Sequence, residues 1–428
     1  MIKIEEHKQP QVGLATEGFL NPKKLYLPLS QHTGRPSLPC VNIADIVEEA
    51  DLLAKEDGFI SARLHSPKRG KILNITEGCH PSLKRAKCII LECQAQEKEY
   101  SYRKNVESLD KEELREIIKN SGIVGLGGAA FPTHVKLNPP KKINTLIING
   151  CECEPYLACD YRLMIENLRE IFKGIEIICK IIEPDEVIFA LEDNKTEVVK
   201  KLNLLISTKR VNLPKTKSAI LKTAYPQGAE KQLIYSVTRR KVPSGRLPFD
   251  VGCLVCNVAT AFAVYEAVYL NKPLIERLVS FAGDAIATPK NIRVKIGTTL
   301  KELFDAGYLK FKHEPRKIIC GGPMMGVALD GLDYPILKGT GGFLFLSKNL
   351  DIAEEDPCIK CARCVDSCPM NLLPLELARR IKKEEFAALD DFSIADCIEC
   401  GCCNYVCPAK IPLVHYIKVG KKYTSRKD

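Results

Sequence analysis

The chain has 428 residues, of which 45% are hydrophobic, and a formal net charge of +10. This length exceeds what one hydrophobic core supports and predicts three or four folded domains. No apolar run reaches the roughly 18 residues that a membrane-spanning helix needs, so we expect no direct membrane span. Aromatic residues are not interleaved with basic runs, which argues against nucleic acid as a partner.

Residues 1–98 predict a small β-rich domain. Turns at Gly58, Pro67 and Gly70 separate short strand-like runs. These runs are 24–28, 41–43, 52–54, 59–62, 70–75 and 88–91. The stretch 47–75 resembles the hammerhead fold of biotinyl and lipoyl carriers, a barrel-sandwich hybrid. It displays no lysine in the manner of a carrier hairpin, so we interpret it as scaffold.

Residues 99–272 change to alternating buried strands and helices. The first helix is expected to have Asp110 as N-cap, with Glu113 three residues later and Gly122 at its end. Strands are then expected at 145–149, 186–191, 219–222 and 253–256, and helices at 162–181, 196–206, 230–238 and 260–270. This alternation predicts a doubly wound α/β domain whose parallel sheet binds ligands at the carboxyl ends of its strands.

The rest of the chain predicts two further domains. Residues 273–348 are rich in strands and indicate a compact α+β module. Its strands are expected at 278–281, 292–296, 317–320 and 343–346, with one helix at 299–306. Residues 349–428 hold two cysteine runs separated by an amphipathic helical stretch at 375–389.

Eight of the 20 cysteines form two runs with the same spacing of two, two and three intervening residues, each followed by proline. The eight are Cys358, Cys361, Cys364, Cys368, Cys397, Cys400, Cys403 and Cys407. This spacing is that of bacterial two-cluster ferredoxins, in which the fourth cysteine of each run ligates the other cluster. We therefore assign cluster A to Cys358, Cys361, Cys364 and Cys407, and cluster B to Cys397, Cys400, Cys403 and Cys368.

Four thiolates around each [4Fe-4S] cluster leave no open coordination position, which predicts one-electron transfer without substrate binding at the metal. Structural zinc and disulfides fit less well, because a zinc site has no use for the third and fourth cysteine at this spacing. Cys402 is interpreted as a small packing residue. The first four residues do not resemble a secretory leader, and the cysteine usage fits a reducing cytoplasm.

A glycine-rich loop precedes the first strand of the predicted parallel sheet. Its glycines are Gly125, Gly127 and Gly128, and Lys136 follows. Backbone amides of such a loop can form an anion-binding nest, to which a lysine adds charge for a phosphate. Turn formation is the common alternative for glycines of this kind. The segment 149–155 follows a buried strand at its carboxyl end, where ligands bind.

Several motifs in one order carry a family resemblance. They are the loop 125–136, the turn 149–155, the segments 225–230, 246–249 and 257–260, and the two cysteine runs. Together they resemble the RnfC subunit of the Rnf electron-transport complex and, more distantly, the flavin- and NADH-binding subunit of respiratory complex I. The resemblance implies non-covalent FMN in the α/β domain, a soluble-ligand-binding β-grasp module after it, and two [4Fe-4S] clusters.

The resemblance also implies residue roles. Positions that line FMN match Gly125, Gly127, Gly128, Lys136, Asn149, Glu152, Tyr225, Gly228, Asn257 and Thr260. Positions that receive NAD(H) match Phe131, Glu154, Glu230, Arg246 and Phe249, of which Glu154 and Glu230 are the candidate catalytic residues. Phe131 and Phe249 are alternatively core residues, and Glu154 alternatively caps a turn. The family's Gly-Gly-Ile-His-Pro segment is absent from the N-terminus, and Cys151 stands where the complex I relative has an acidic residue.

The implied function is that of an NADH:acceptor oxidoreductase subunit. The resemblance places it at the cytoplasmic face of the membrane, docked to integral-membrane and iron-sulfur subunits, with ferredoxin as an indirect partner. One alternative is a cobalamin reductase of the microcompartment type, although that family begins at the glycine loop. Another alternative is a non-enzymatic electron carrier with a vestigial loop.

Overall fold

The computed structural model describes residues 1–96, 98–208, 213–347 and 354–424. The first part contains the strands β1 Glu17–Phe19, β2 Lys24–Pro28, β3 Leu38–Pro39, β4 Ile46–Val47, β5 Leu52–Lys55, β6 Leu64–His65, β7 Gly70–His80 and β8 Lys84–Cys93. One sheet has the order β2-β8-β7-β4 and a second has the order β3-β5-β6. Leu25 faces Leu91 and Leu27 faces Ile89 across the first sheet, and all four are fully buried.

Two runs in this part do not form the predicted strands. Residues 41–43 and 59–62 lie in loops. The second run follows Gly58, whose φ of +83° makes a turn, and the carbonyl of Ile60 accepts a hydrogen bond from the N–H of Arg35 at 3.1 Å. The backbone of Ile60 is therefore used by a neighbouring turn and not by a strand ladder.

The α/β part follows the predicted alternation. Its elements are α1 Lys111–Asn120, α2 Thr133–Lys136, β9 Thr145–Asn149, α3 Cys159–Ile182, β10 Glu186–Glu192, α4 Thr196–Ser207, β11 Lys215–Leu221, α5 Glu230–Thr238, β12 Cys253–Asn257 and α6 Val258–Leu270. The predicted capping box of α1 is confirmed, because Asp110 accepts from the N–H of Glu113 and Glu113 accepts from the N–H of Asp110.

The sheet of this part is entirely parallel, in the order β11-β10-β9-β12. Leu146 and Ile148 pack with residues of α3, α4 and α6 on one face, whereas Ile147 packs with Leu233 of α5 on the other. The strand order changes direction between β9 and β12, since β10 and β11 follow β9 on one side and β12 joins it on the other. Such a switch point is where open α/β sheets bind ligands.

The next part is a mixed sheet with one helix. Its elements are β13 Glu276–Ala282, β14 Lys290–Lys295, α7 Leu300–Asp305, β15 Lys317–Cys320, β16 Val327–Leu329 and β17 Gly342–Leu346. The strand order is β1-β14-β13-β17-β15-β16, so β1, from the first 98 residues, forms its edge. The N-terminal segment therefore crosses the predicted boundary between domains.

The last part consists of short helices around the cysteine runs. They are α8 Arg363–Asp366, α9 Pro374–Lys382, α10 Cys402–Tyr405 and α11 Leu413–Thr424. The helix predicted over 375–389 ends at Lys382, because Glu384 adopts a left-handed φ of +58°, and 3₁₀ turns continue from Phe386. Among the helices of the described residues, none combines the length and apolar character that a membrane crossing needs.

Candidate functional site

Two asparagines meet at the carboxyl edge of the parallel sheet. Asn149 ends β9, Asn257 ends β12, and the two are paired in the strand register. The Asn149 side chain donates to the carbonyl of Gly228 at 2.9 Å and accepts from the N–H of Cys151 at 3.1 Å. The Asn257 side chain caps α6 by accepting from the N–H of Ala259 at 2.8 Å. Both predicted site residues therefore lie at the switch point of the sheet.

The glycine loop lies against this edge. The N–H of Leu126 donates to Thr260 Oγ1 at 2.9 Å, which fixes the loop to the first turn of α6. A Cβ added to Gly127 would lie 2.7 Å from Asn257 Nδ2, so only glycine permits this approach. Gly128 is exposed, and a Cβ added there would meet nothing within 4 Å. Exposed glycines beside the switch point fit the phosphate-binding nest that an FMN site requires.

Glu152 has a structural task at the start of α3. Its carboxylate accepts hydrogen bonds from the N–H groups of Asp160 and Tyr161 at 2.7 and 3.0 Å. Asp160, which no sequence motif singled out, accepts from Asn257 Nδ2 at 2.6 Å, and burial raises its pKa to about 6. Glu152 thus supports the edge of the sheet through α3, and Asp160 positions Asn257 against the glycine loop.

Glu154 is partly buried and has three polar neighbours. It accepts from the N–H of Met325 at 3.0 Å and from the N–H of Met324 at 3.3 Å. Its Oε1 lies 3.4 Å from the hydroxyl oxygen of Tyr225. A Cβ on Gly322 would lie 2.1 Å from its Oε2, so a glycine is needed beside it. Burial raises the pKa of Glu154 to about 7, although these donors oppose the rise.

The other predicted nucleotide residues are less closely grouped. Lys136 Nζ pairs with Glu230 Oε1 at 2.8 Å, which joins a residue predicted for FMN to one predicted for NAD(H). Arg246 is exposed, and its N–H donates to the carbonyl of Pro243 at 3.1 Å in a turn. Phe249 is partly buried against the main core, which agrees with the alternative that it is a core residue. Phe131 is half-buried.

The N-terminal arm adds contacts that no sequence pattern indicated. Lys8 is buried and its Nζ donates to the carbonyl of Glu152. Ile2 pairs with Tyr225 through two backbone hydrogen bonds of 2.9 and 2.8 Å. The segment that replaces the family's usual N-terminus therefore packs directly on the candidate site.

The eight cysteines of the two runs line two separate cavities. Cys358, Cys361, Cys364 and Cys407 line the first. Cys368, Cys397, Cys400 and Cys403 line the second, together with Cys402. The 20 cysteines, all of which lie in the described part of the chain, form no disulfide bond. The fourth cysteine of each run thus lines the cavity of the other run, which is the donor arrangement that two interlocked [4Fe-4S] clusters require.

The two runs have matching backbone conformations. Left-handed φ values occur at Lys360, Ala362 and Asn371 in the first run and at the corresponding Glu399, Gly401 and Lys410 in the second. N–H groups of both runs point at sulfur: Lys360 donates to Cys358 Sγ at 3.3 Å and Glu399 donates to Cys397 Sγ at 3.4 Å. In this repeat Cys402 takes the place of Arg363, outside the ligand positions. It is fully buried and packs with Tyr225.

The second cysteine cavity adjoins the nucleotide side of the molecule. The hydroxyl of Tyr225 donates to the carbonyl of Cys400 at 2.7 Å. Helix α5 adds a Lys231–Asp396 ion pair at 3.3 Å and a hydrogen bond from Gln232 to the carbonyl of Pro369 at 2.7 Å. Cys358 and Cys361 of the first cavity are exposed instead.

Family models match three regions of the chain. Residues 118–266 match the Nuo51 FMN-binding domain, residues 2–96 match the RnfC barrel sandwich hybrid domain, and residues 357–411 match a 4Fe-4S dicluster domain. A solved NAD⁺-reducing [NiFe]-hydrogenase has a similar fold, with a TM-score of 0.52 and 18% identity. The match covers 73% of this chain and 62% of that chain.

Curated relatives match nearly the whole chain. The C-subunit of a proton-translocating ferredoxin:NAD(+) oxidoreductase complex from Clostridium ljungdahlii is 43% identical, over 93% of this chain and 87% of its own length. The C-subunit of the Na(+)-translocating complex from Acetobacterium woodii is 38% identical, over 94% and 91%. The C-subunit of an ion-translocating oxidoreductase complex from Rhodobacter capsulatus is 37% identical, over 100% and 83%.

A parallel sheet with a glycine loop at its switch point, joined to eight interlocked cysteines, defines an iron-sulfur flavoprotein of the electron-transfer class. Within that class, the similarity to these relatives identifies the family. The chain belongs to the RnfC family, the C-subunits of Rnf-type ion-translocating ferredoxin:NAD oxidoreductase complexes.

Proposed function

We propose that this chain carries electrons between NAD(H) and the other subunits of an Rnf-type complex, using FMN and two [4Fe-4S] clusters. The observation that carries the proposal is the direct contact between the two halves of the site. Tyr225 touches Glu154 on the nucleotide side and the carbonyl of Cys400 on the cysteine side. A nucleotide site and a metal site that share a buried residue are suited to exchange electrons over a short distance.

We assign some residues of the site to hold FMN and others to receive NAD(H). We assign FMN to the edge formed by Asn149, Asn257, Tyr225, Thr260 and the glycine loop. The remaining residues assigned to this cofactor are Gly125, Gly127, Gly128, Lys136, Glu152 and Gly228. FMN, when bound, supplies the conversion between the two-electron chemistry of nicotinamide and the one-electron chemistry of iron-sulfur clusters. Tyr225, next to Glu154, is only 2% exposed and limits the access of water to this edge.

NAD(H) is assigned to the open side of the same edge. Glu154 and Glu230 are the polar groups that we propose for the nicotinamide end, with Phe131, Arg246 and Phe249 beside them. Glu230 forms an ion pair with Lys136, a residue that we assign to FMN. This glutamate therefore also holds the positively charged side chain of Lys136 in place. The two sets of residues are therefore coupled and not independent.

The cysteine sets are assigned as predicted from their spacing. Cluster A takes Cys358, Cys361, Cys364 and Cys407, and cluster B takes Cys397, Cys400, Cys403 and Cys368. Cluster B lies toward the nucleotide side through Tyr225, and the exposed Cys358 and Cys361 favour cluster A as the side that faces a partner. The domain divisions at 98, 272 and 348 and the β-grasp assignment stay predictions.

The partners are other subunits of the complex, since the curated relatives are named as subunits of ion-translocating complexes. We infer peripheral association with the cytoplasmic face through integral-membrane and iron-sulfur subunits, with ferredoxin as an indirect donor or acceptor. The direction of electron flow depends on the reduction potentials of the bound groups.

The test uses anaerobically purified full-length chain. We expect one FMN, about eight iron and about eight sulfide per chain, and bleaching of the flavin and cluster absorbance when NADH is added. A chain that holds both clusters but neither binds FMN nor bleaches with NADH would be a simple electron carrier, and the proposal would be wrong.

A further inference from the structure

The N-terminal β-rich part touches the glycine loop through one short segment. The N–H of Thr33 donates to the carbonyl of Ala130 at 3.3 Å, and its Oγ1 donates to the carbonyl of Ala129. Gly127, at the other end of the same loop, faces Asn257. The loop is therefore held between the parallel sheet on one side and the N-terminal part on the other.

A second turn is fixed to this segment. The N–H of Arg35 donates to the carbonyl of Ile60 at 3.1 Å, and a Cβ on Gly34 would lie 2.0 Å from the same carbonyl oxygen. The ring of His32 lies 3.0 Å from the carbonyl of Arg35 and 3.2 Å from Ser61 Oγ. These contacts make the two turns one unit, which Thr33 attaches to the glycine loop.

Two side chains of this unit extend into solvent. Phe59 is 74% exposed. The side chain of Arg35 is 76% exposed, and its Nη1 lies 3.9 Å from Asp57 Oδ1 in a loose surface ion pair that a phosphate can replace. Arg35 is two residues from Thr33, so their backbones are at most about 7 Å apart. An arginine side chain is long enough to span this distance and reach the glycine loop. A flat aromatic ring stacks on nucleotide bases, and a guanidinium pairs with phosphate oxygens.

We propose that Phe59 and Arg35 form an outer subsite for the adenosine half of NAD(H). Phe59 stacks on the adenine, and Arg35 pairs with the pyrophosphate where the dinucleotide leaves the glycine loop. The N-terminal part is then a specificity element of the dinucleotide site in addition to a scaffold. This assignment rests on the proposed function, which places NAD(H) at that loop.

The experiment compares two hydride donors. Reduced nicotinamide mononucleotide has the same nicotinamide as NADH but lacks the adenosine half. Oxidation of each donor is measured on the full-length holoprotein with ferricyanide as electron acceptor. For Phe59→Ala and for Arg35→Gln we expect KM for NADH to rise about tenfold with kcat unchanged. We expect kcat/KM for the mononucleotide to stay at the level of the unmodified chain.

Matched controls come from the same part of the chain. Ile46, on β4, is also an exposed apolar side chain, at 57%. Arg85, on β8, is an exposed arginine. Ile46→Ala and Arg85→Gln should leave KM for both donors unchanged. Flavin content and the thermal midpoint, measured on every variant, separate loss of binding from loss of folding.

Each outcome decides the assignment. An equal loss with both donors would overturn it, because the residues would then act through the flavin edge or the fold. Unchanged kinetics with NADH would also overturn it, and reduced binding to the membrane subunits in that case would assign the turns to subunit docking. Unmodified holoprotein that oxidises neither donor would contradict the proposed function itself, and the subsite with it.

Discussion

Glu154 shows how a single residue is tuned by its surroundings. It is partly buried, and two backbone N–H groups donate to its carboxylate. Burial raises the pKa of the carboxyl to about 7, so the carboxyl ionises as the pH rises through the physiological range. A carboxylate that ionises near neutral pH beside a nucleotide site is suited to accept a hydrogen bond from the substrate.

We predict that Glu154→Gln keeps its FMN but lowers kcat/KM for NADH about tenfold, because a charged acceptor is lost. In the unmodified chain kcat/KM should rise with pH through about 7, as the carboxylate forms, and in the variant this rise should be absent. Glu230→Gln is the comparison: it should lower NADH use but retain the rise. Loss of flavin from Glu154→Gln would move this residue into the cofactor's own shell.

Lys338 joins three parts of the chain at a buried point. Its Nζ donates to the carbonyls of Gly122, at 2.8 Å, and Arg63, while its N–H donates to Gln31 Oε1 at 3.0 Å. Burial lowers the pKa of Lys338 to about 7. Between that value and the ordinary 10.5, the folded state binds fewer protons than the unfolded state, so stability rises with pH.

Lys338→Met should remove this pH dependence. We expect the free energy of unfolding of the unmodified chain, relative to the variant, to increase by about 3 kcal/mol between pH 7 and pH 10. Denaturant titrations at several pH values measure the difference, in which other titrating groups cancel. Lys55→Met, at the exposed end of β5, is the control and should show no such trend. A difference that does not change with pH would mean that Lys338 stays charged in the folded chain.

At the scale of elements, the two cysteine runs behave as one interlocked unit. Each run supplies three cysteines to one cavity and one to the other, and the left-handed residues that shape the turns recur at matching positions. Separate folding of either run would leave both cavities incomplete. Cys402 lies outside the four ligand positions of each run, although it lines the second cavity.

Cys407→Ser should therefore damage the first cavity although it lies in the second run. We expect iron to fall from about eight to about four per chain, with one cluster signal lost by EPR. FMN and dye-linked NADH oxidation should survive, while transfer to partner subunits should collapse. Cys402→Ser is the matched control and should keep all the iron. Dye reduction that vanishes with flavin still bound would contradict the proposed division of roles.

At the scale of the whole molecule, separate parts meet at the candidate site. The N-terminal arm reaches Glu152 and Tyr225, the turns at Thr33 reach the glycine loop, and the backbone near Met324 reaches Glu154. The net charge of +10 suits contact with acidic partner subunits or an anionic membrane face. Surface charge contacts of this kind are screened by salt over about 10 Å at 0.1 M.

Membrane association should accordingly depend on ionic strength. In membranes that contain the whole complex, washing with high salt should release this chain without detergent, and its release should track the salt concentration. Immunoblots of the wash and pellet fractions measure this, with an integral-membrane subunit as the control that stays in the pellet. Retention until detergent is added would contradict attachment through charged partner contacts.

The sequence by itself determined the features that depend on local spacing. The cysteine spacing predicted which residues share a cavity, the Asp110 capping box predicted the start of α1, and the alternation of apolar strands with helices predicted the parallel sheet. The cap and the apolar faces are readable because their causes lie within a few residues. The shared cavities are readable because the same cysteine spacing occurs twice, as in two-cluster ferredoxins.

Only the tertiary structure decided the contacts between distant segments. Tyr225 and Cys400 are 175 positions apart, and Lys8 and Glu152 are 144 apart, so no periodicity links them. The helix predicted to continue past Lys382 and the strand predicted at 59–62 fail for a related reason, since left-handed turns and hydrogen bonds to other segments override local preference. A side chain's partner across the fold depends on how whole sheets pack, which is information that no short stretch of sequence contains.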